Sequence, residues 1–161
     1  MVTMASDLPA GLANPVLSAQ STFRALMEAM ARPGSIQRVT ADVGVPSGLM
    51  RAAAAIALTL FDHDTPIWLD PKLAAASDAA AWLKFHTGAP VVADAATASF
   101  ALIADGASLP GLESFALGSG EYPDRSTTLI LQVEGLSAGR DYALRGPGID
   151  GTATLRARGV P

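Results

Sequence analysis

A helix with almost no polar face constrains this chain more than any other feature. It covers Leu49 to Phe61, LMRAAAAIALTLF, where only Arg51 and Thr59 are polar. A helix apolar all round is buried outright, or its second face meets another subunit. It leads through the polar turn Asp62-His63-Asp64-Thr65-Pro66 into Ile67-Trp68-Leu69, which reads as a strand at the centre of a sheet. A buried helix feeding a buried strand is the signature of an α/β layer structure.

The length of 161 residues suits one domain with one core. The net charge of −4 and the scatter of nine arginines and two lysines leave no basic run for nucleic acid. With no cysteine, disulfides and thiolate metal sites are excluded. The opening MVTMASDLPAG has neither a basic nor an apolar leader region. The apolar run Ala52 to Phe61 is too short to cross a bilayer. A soluble, cytoplasmic protein is expected. Charged residues make up 16%, against about 25% in ordinary domains. Alanine, present 32 times, accounts for part of this, and surface covered by a partner is the other explanation.

The periodicity predicts the remaining elements. Leu12 to Leu17, with its Asn-Pro, reads as irregular. Gln20 to Arg32 reads as a helix with Phe23, Leu26, Met27 and Met30 on one face. Arg32-Pro33-Gly34 ends it, and Ser35 to Val39 alternates like a short strand. Asp70-Pro71 reads as a turn, and Ser77-Asp78 as the cap of a helix Ala79 to His86. Val91-Val92 and Ser99 to Ala104 are expected strands, the second apolar on both faces. Leu109 to Phe115 has room for one helical turn, and GSGEYPDR is a polar loop. Thr127 to Val133 is the clearest strand, followed by a turn at Leu136 to Arg140 and strands at Tyr142 to Leu144 and Gly151 to Arg156. This order predicts a single α/β domain over 1–161 with a mixed central sheet flanked by helices.

Chemistry-bearing residues are few. Asp62, His63 and Asp64 offer oxygen and nitrogen ligands, yet three adjacent residues rarely converge on one ion. A helix-to-strand turn with His63 at the negative helix end explains them better. His86 has the same dipole explanation, with Gly88 taking the turn. No G-x-S-x-G elbow and no P-loop is present, and Gly118-Ser119-Gly120 and Gly146-Pro147-Gly148 read as turns. Arg24, His86 and Arg125 remain as candidate contacts for a ligand or partner. No metal site, cofactor site or catalytic residue is assigned.

Five blocks in fixed order resemble the PhnH family: NPVLSAQSTFRALMEAMARPG, LTLFDHDTPIWL, FHTGAP, GEYPDRSTTLILQV and LRGPGI. They run from Asn14 to Ile149. The resemblance implies a subunit of the bacterial carbon–phosphorus lyase core complex. Its fold would be similar to the large domain of pyridoxal-phosphate-dependent transferases, without the cofactor site. Its partners would be a second copy of itself and the PhnG, PhnI and PhnJ subunits. The reaction implied joins a phosphonate to the ribose of a nucleoside triphosphate, displacing the base and giving an α-D-ribose 1-phosphonate 5-triphosphate. The resemblance implies a further segment past the GPGI block, and on that expectation the family's C-terminal part is missing from a sequence that ends at Pro161. Two other readings stand beside this one. One is a stand-alone metal-dependent enzyme using Asp62, His63 and Asp64. The other is a phosphonate or nucleotide binding module using Arg24, His86 or Arg125.

Overall fold

Two Asx-Pro pairs begin helices. In the computed structural model, which describes residues 8–161, helix α1 spans Pro15–Ala31 and helix α3 spans Pro71–Ala75. Met1 to Asp7, read above for a leader, lie outside the described residues. The Asn14 side chain accepts the Leu17 amide at 3.2 Å, and the Asp70 side chain accepts the Leu73 amide at 2.8 Å. Each oxygen satisfies a first-turn donor, and each proline supplies a preset φ where no amide is needed. Leu12 to Leu17 is therefore partly helical, and Asp70-Pro71 is a helix start rather than a plain turn.

Helix α2, Arg51–Leu60, buries Ala53, Ala54, Ala55 and Ala57. Part of its second face, left open by the sequence, is covered within the chain where α1 packs against it, while Ala52 and Ile56 border an open groove. The withdrawn side of α1 carries Thr22, Ala25 and Ala29, small enough for two helices to approach closely, with Leu26 beside them. Its large apolar residues point the other way: Val16 is 65% exposed, Phe23 50%, Met27 53% and Met30 72%. Helix α4, Ser77–Thr87, follows α3 directly, and Ala76 is both the last cap of α3 and the first of α4. The expected cap residues Ser77 and Asp78 thus lie inside the helix, with Asp78 placed favourably in the first turn. Gly88, at φ 71°, closes α4 in the left-handed region.

Strands β1 (Ile67–Leu69), β2 (Phe100–Ile103) and β3 (Thr128–Leu131) form a parallel sheet in that order. Ile67 is in register with Phe100, and Phe100 with Thr128. Val91 adds one parallel bridge beside Ile67. Strands β4 (Gly135–Leu144) and β5 (Ala153–Arg158) form a separate antiparallel hairpin. The parallel and antiparallel parts are thus two sheets, not one mixed sheet. The turn expected at Leu136 to Arg140 is a bulged part of β4, where the register shifts between Gly135 and Arg140. Ser35 to Val39, expected as a short strand, forms none, because no neighbouring backbone among the described residues pairs with it.

Both faces of the parallel sheet are covered, as the apolar strands require. Ile67, Leu69 and Leu102 pack with α2, Leu73 of α3, and Trp82 and Leu83 of α4. Ala101 and Ile103 pack on the opposite side with Phe115, Trp68, Leu109 and Leu131. That side is closed by the irregular connection 104–127 and its short 3-10 turns rather than by α-helices. Each fully buried Ile or Leu here contributes about 1.5–3 kcal/mol of transfer free energy.

Candidate functional site

Parallel α/β sheets generally hold ligands beyond the carboxyl ends of their strands. In this chain one of its own side chains stands in that position between β1 and β2. Asp70 follows β1 and is fully buried. One of its oxygens accepts the Leu73 amide, and the other accepts the amides of Ala104 and Asp105, both at 2.9 Å, and the Ser108 hydroxyl at 3.2 Å. Four donors converge on one carboxyl group, so β1, β2 and α3 are tied together and the acceptor capacity of Asp70 is spent within the fold.

A concavity opens beside the end of β3. It is a groove of about 500 Å³ between α1, the segment Ser35–Val39, α2, the end of β3 and the hairpin. Leu26, Ile36, Ile56, Leu131, Leu136 and Leu155 give it its character. Its polar side chains are Ser35, Gln37 and Gln132, so no titratable group and no cation lines it. Such a surface cannot neutralise a phosphonate or a triphosphate, nor move a proton. It suits apolar packing. Gln132 is itself engaged: its side chain accepts the Met50 amide at 2.5 Å and donates to the Gly48 carbonyl at 2.9 Å. It thereby serves the start of α2, where Met50 has no capping side chain of its own.

The residues singled out from the sequence are scattered. The Asp62 side chain accepts the Asp64 amide at 3.0 Å and the Thr65 hydroxyl at 2.5 Å, closing the turn between α2 and β1. Chiefly the Thr65 hydroxyl, then the Asp64 amide, hold the Asp62 carboxyl below the usual aspartate range. His63 and Asp64 pair with each other on the surface, 3.3 Å apart. Among the described residues no cluster of three metal-ligating side chains occurs. His86 sits in the last turn of α4, its Nε2 3.0 Å from the Pro9 carbonyl. The same carbonyl accepts Trp82 Nε1–H at 2.7 Å, so this pair holds the segment before α1. Arg24 lies on the exposed part of α1. The Arg125 guanidinium stacks 4.1 Å from the centre of the Tyr122 ring and lines a cavity of about 340 Å³ with Thr97, Ser99, Asp124 and Ser126. That cavity is at the amino ends of β2 and β3, away from His86, which lines a different one with Gly11 and Leu58. Arg125 and His86 thus line different cavities, and Arg24 lines neither of them. Sequence reasoning missed Asp70 and Gln132. The Asp-Pro start of a helix was a signal for the first; for the second, a lone amide in an uncharged strand was the only one.

The family model described as "Bacterial phosphonate metabolism protein (PhnH)" matches residues 10–161. This chain belongs to the PhnH family. A relative from Rhizobium meliloti (strain 1021) is 47% identical over 161 residues, covering 99% of this chain and 80% of the relative. That relative is the "Alpha-D-ribose 1-methylphosphonate 5-triphosphate synthase subunit PhnH". In this PhnH-family chain the groove of about 500 Å³ is lined without acid, base or cation, and the Asp70 carboxyl past β1 is buried and engaged by the fold. Among the described residues no helix is long and apolar enough to cross a membrane.

Proposed function

We propose that this chain is an accessory subunit of an α-D-ribose 1-methylphosphonate 5-triphosphate synthase and acts by assembly rather than by chemistry of its own. The observation that carries the reading is the 47% identity, over nearly the whole chain, to a relative that is such a subunit. Two features of the molecule support it. The large groove is apolar and without titratable groups, and the candidate cations Arg24 and Arg125 belong to separate surfaces. The family resemblance supplies the partners, PhnG, PhnI and PhnJ in the cytoplasm, and the likeness of fold to the large domain of pyridoxal-phosphate-dependent transferases without their cofactor site. The test is reconstitution. The isolated protein should not turn over a nucleoside triphosphate with methylphosphonate, whereas the co-expressed subunits should, and should stop when this chain is left out. Turnover by the isolated protein would reject the reading.

Self-association is the second part of the proposal. The residues Val16, Phe23, Met27 and Met30 recur at helical spacing on the outer side of α1. Clustered exposed apolar side chains on one helix face mark a contact face. A homodimer formed through α1 would bury it.

A further inference from the structure

The arginines gather when the chain folds. Residues 135–161 contain Arg140, Arg145, Arg156 and Arg158 against Asp141 and Asp150, a net charge of +2; the whole chain carries −4, so residues 1–134 carry −6. The hairpin register sorts these charges by face. Tyr142 opposes Leu155 and Leu144 opposes Ala153, all half-buried on the inner face. Asp141 opposes Arg156 and Ala143 opposes Thr154, all exposed on the outer face. Side chains alternate along a strand, so Arg158 joins Arg156 on that outer face. Arg145, just past β4, donates to the Thr152 hydroxyl at 3.2 Å and extends the same row.

The outer face thus displays Arg145, Arg156 and Arg158 with one carboxylate among them. Asp141 is already held by Arg156, at 2.5 and 3.0 Å. None of the cavities described above is lined by these arginines, and a two-stranded ribbon offers no concavity for a small anion. The hairpin has no lysine. Arginine is enriched at protein interfaces and lysine depleted, because the planar guanidinium meets a carboxylate through two parallel hydrogen bonds.

We infer that the outer face of the β4–β5 hairpin docks on an acidic surface of another subunit of the synthase. The inference rests on the subunit reading above. Like charges along one ribbon are tolerated in the free chain because solvent screens them, and they become attractive only when carboxylates face them. The residues of this surface are distinct from those of the apolar stripe of α1.

The test is capture of the co-expressed synthase subunits by the tagged full chain. Wild type should capture them, less so as salt rises from 0.1 to 0.5 M, by roughly tenfold or more, since attraction across an exposed charged face is screened over about 10 Å. Arg145→Glu with Arg158→Glu should reduce capture at low salt by at least tenfold, while Arg38→Glu should not. Neither Arg145 nor Arg158 makes an ion pair among the described residues, so the melting temperature should be retained. Should the double variant misfold, Arg145→Gln with Arg158→Gln gives the same reading in milder form. Undiminished capture by a folded double variant, or capture indifferent to salt, would overturn the inference alone. Binding of inorganic triphosphate that the double variant abolishes while capture persists would overturn it too. Failure of the wild type to capture any subunit would overturn the subunit reading and this inference with it.

Discussion

One oxygen of Asp70 accepts the Ala104 backbone amide at 2.9 Å, joining the residue after β1 to the residue after β2 across 34 positions of chain. The neighbouring Asp105 amide and Ser108 hydroxyl share that oxygen, while the other oxygen caps α3. The contact makes the carboxyl end of the sheet a structural knot.

Asp70→Ala should therefore be strongly destabilising, by more than about 3 kcal/mol, since it strands several buried donors at once. Asp70→Asn keeps the shape but places an NH₂ group against an amide donor, and should cost about 2 kcal/mol. Denaturant unfolding of both variants checks the order. If Asp70→Ala were as stable as wild type, the knot would not matter to the fold.

Gln132→Leu should free the Met50 amide and the Gly48 carbonyl at the start of α2. The expected loss is about 1–3 kcal/mol. Hydrogen exchange should rise first at Met50 and in the opening turn of α2. Uniform exchange with no local change would argue against the clasp.

The stripe on α1 predicts a concentration-dependent dimer. Met27→Glu should give monomers in sedimentation without lowering thermal stability, because Met27 is already half-exposed. Salt should have little effect on wild-type association, since the stripe is uncharged. A wild-type monomer at high concentration would refute self-association through this face.

The turn after α2 predicts a pH signature. The Asp62 carboxyl lies below the usual aspartate range because Thr65 and the Asp64 amide hydrogen-bond it. A carboxyl lowered on folding stabilises the fold above its unfolded value and loses that contribution as pH falls through the folded one. Carbon-13 NMR titration should place Asp62 below a random-coil aspartate. The stability gap between wild type and Asp62→Asn should close in acid. Metal content should not change in the variant, and bound metal lost with Asp62 would revive the metal-site reading.

Pyridoxal phosphate is expected not to bind. Lys72 and Lys84 are the chain's lysines, and both are exposed on helix surfaces rather than set in a cavity where a Schiff base could be held. Absorbance near the internal-aldimine band, with and without Lys84→Ala, decides this.

The sequence by itself determined the α/β class, the buried character of α2 and the strands β2 and β3, and the family. Each is a local signal: an apolar run, a β-rich segment, or blocks of residues in fixed order. The helix starts at Pro15 and Pro71 were also legible, but Asn-Pro and Asp-Pro serve turns as readily as caps until the following residues are seen to coil. The tertiary structure alone decided which side of each element meets what. The apolar residues of α1 look core-facing by period, yet the alanine-rich side of α1 is the one narrow enough to lie against α2, and Phe23, Met27 and Met30 turn outward. Asp70 gains its partners from residues 104–108, and Gln132 from residues 48–50. Those pairings depend on how far apart the chain can be when it returns, and neither composition nor periodicity carries that distance.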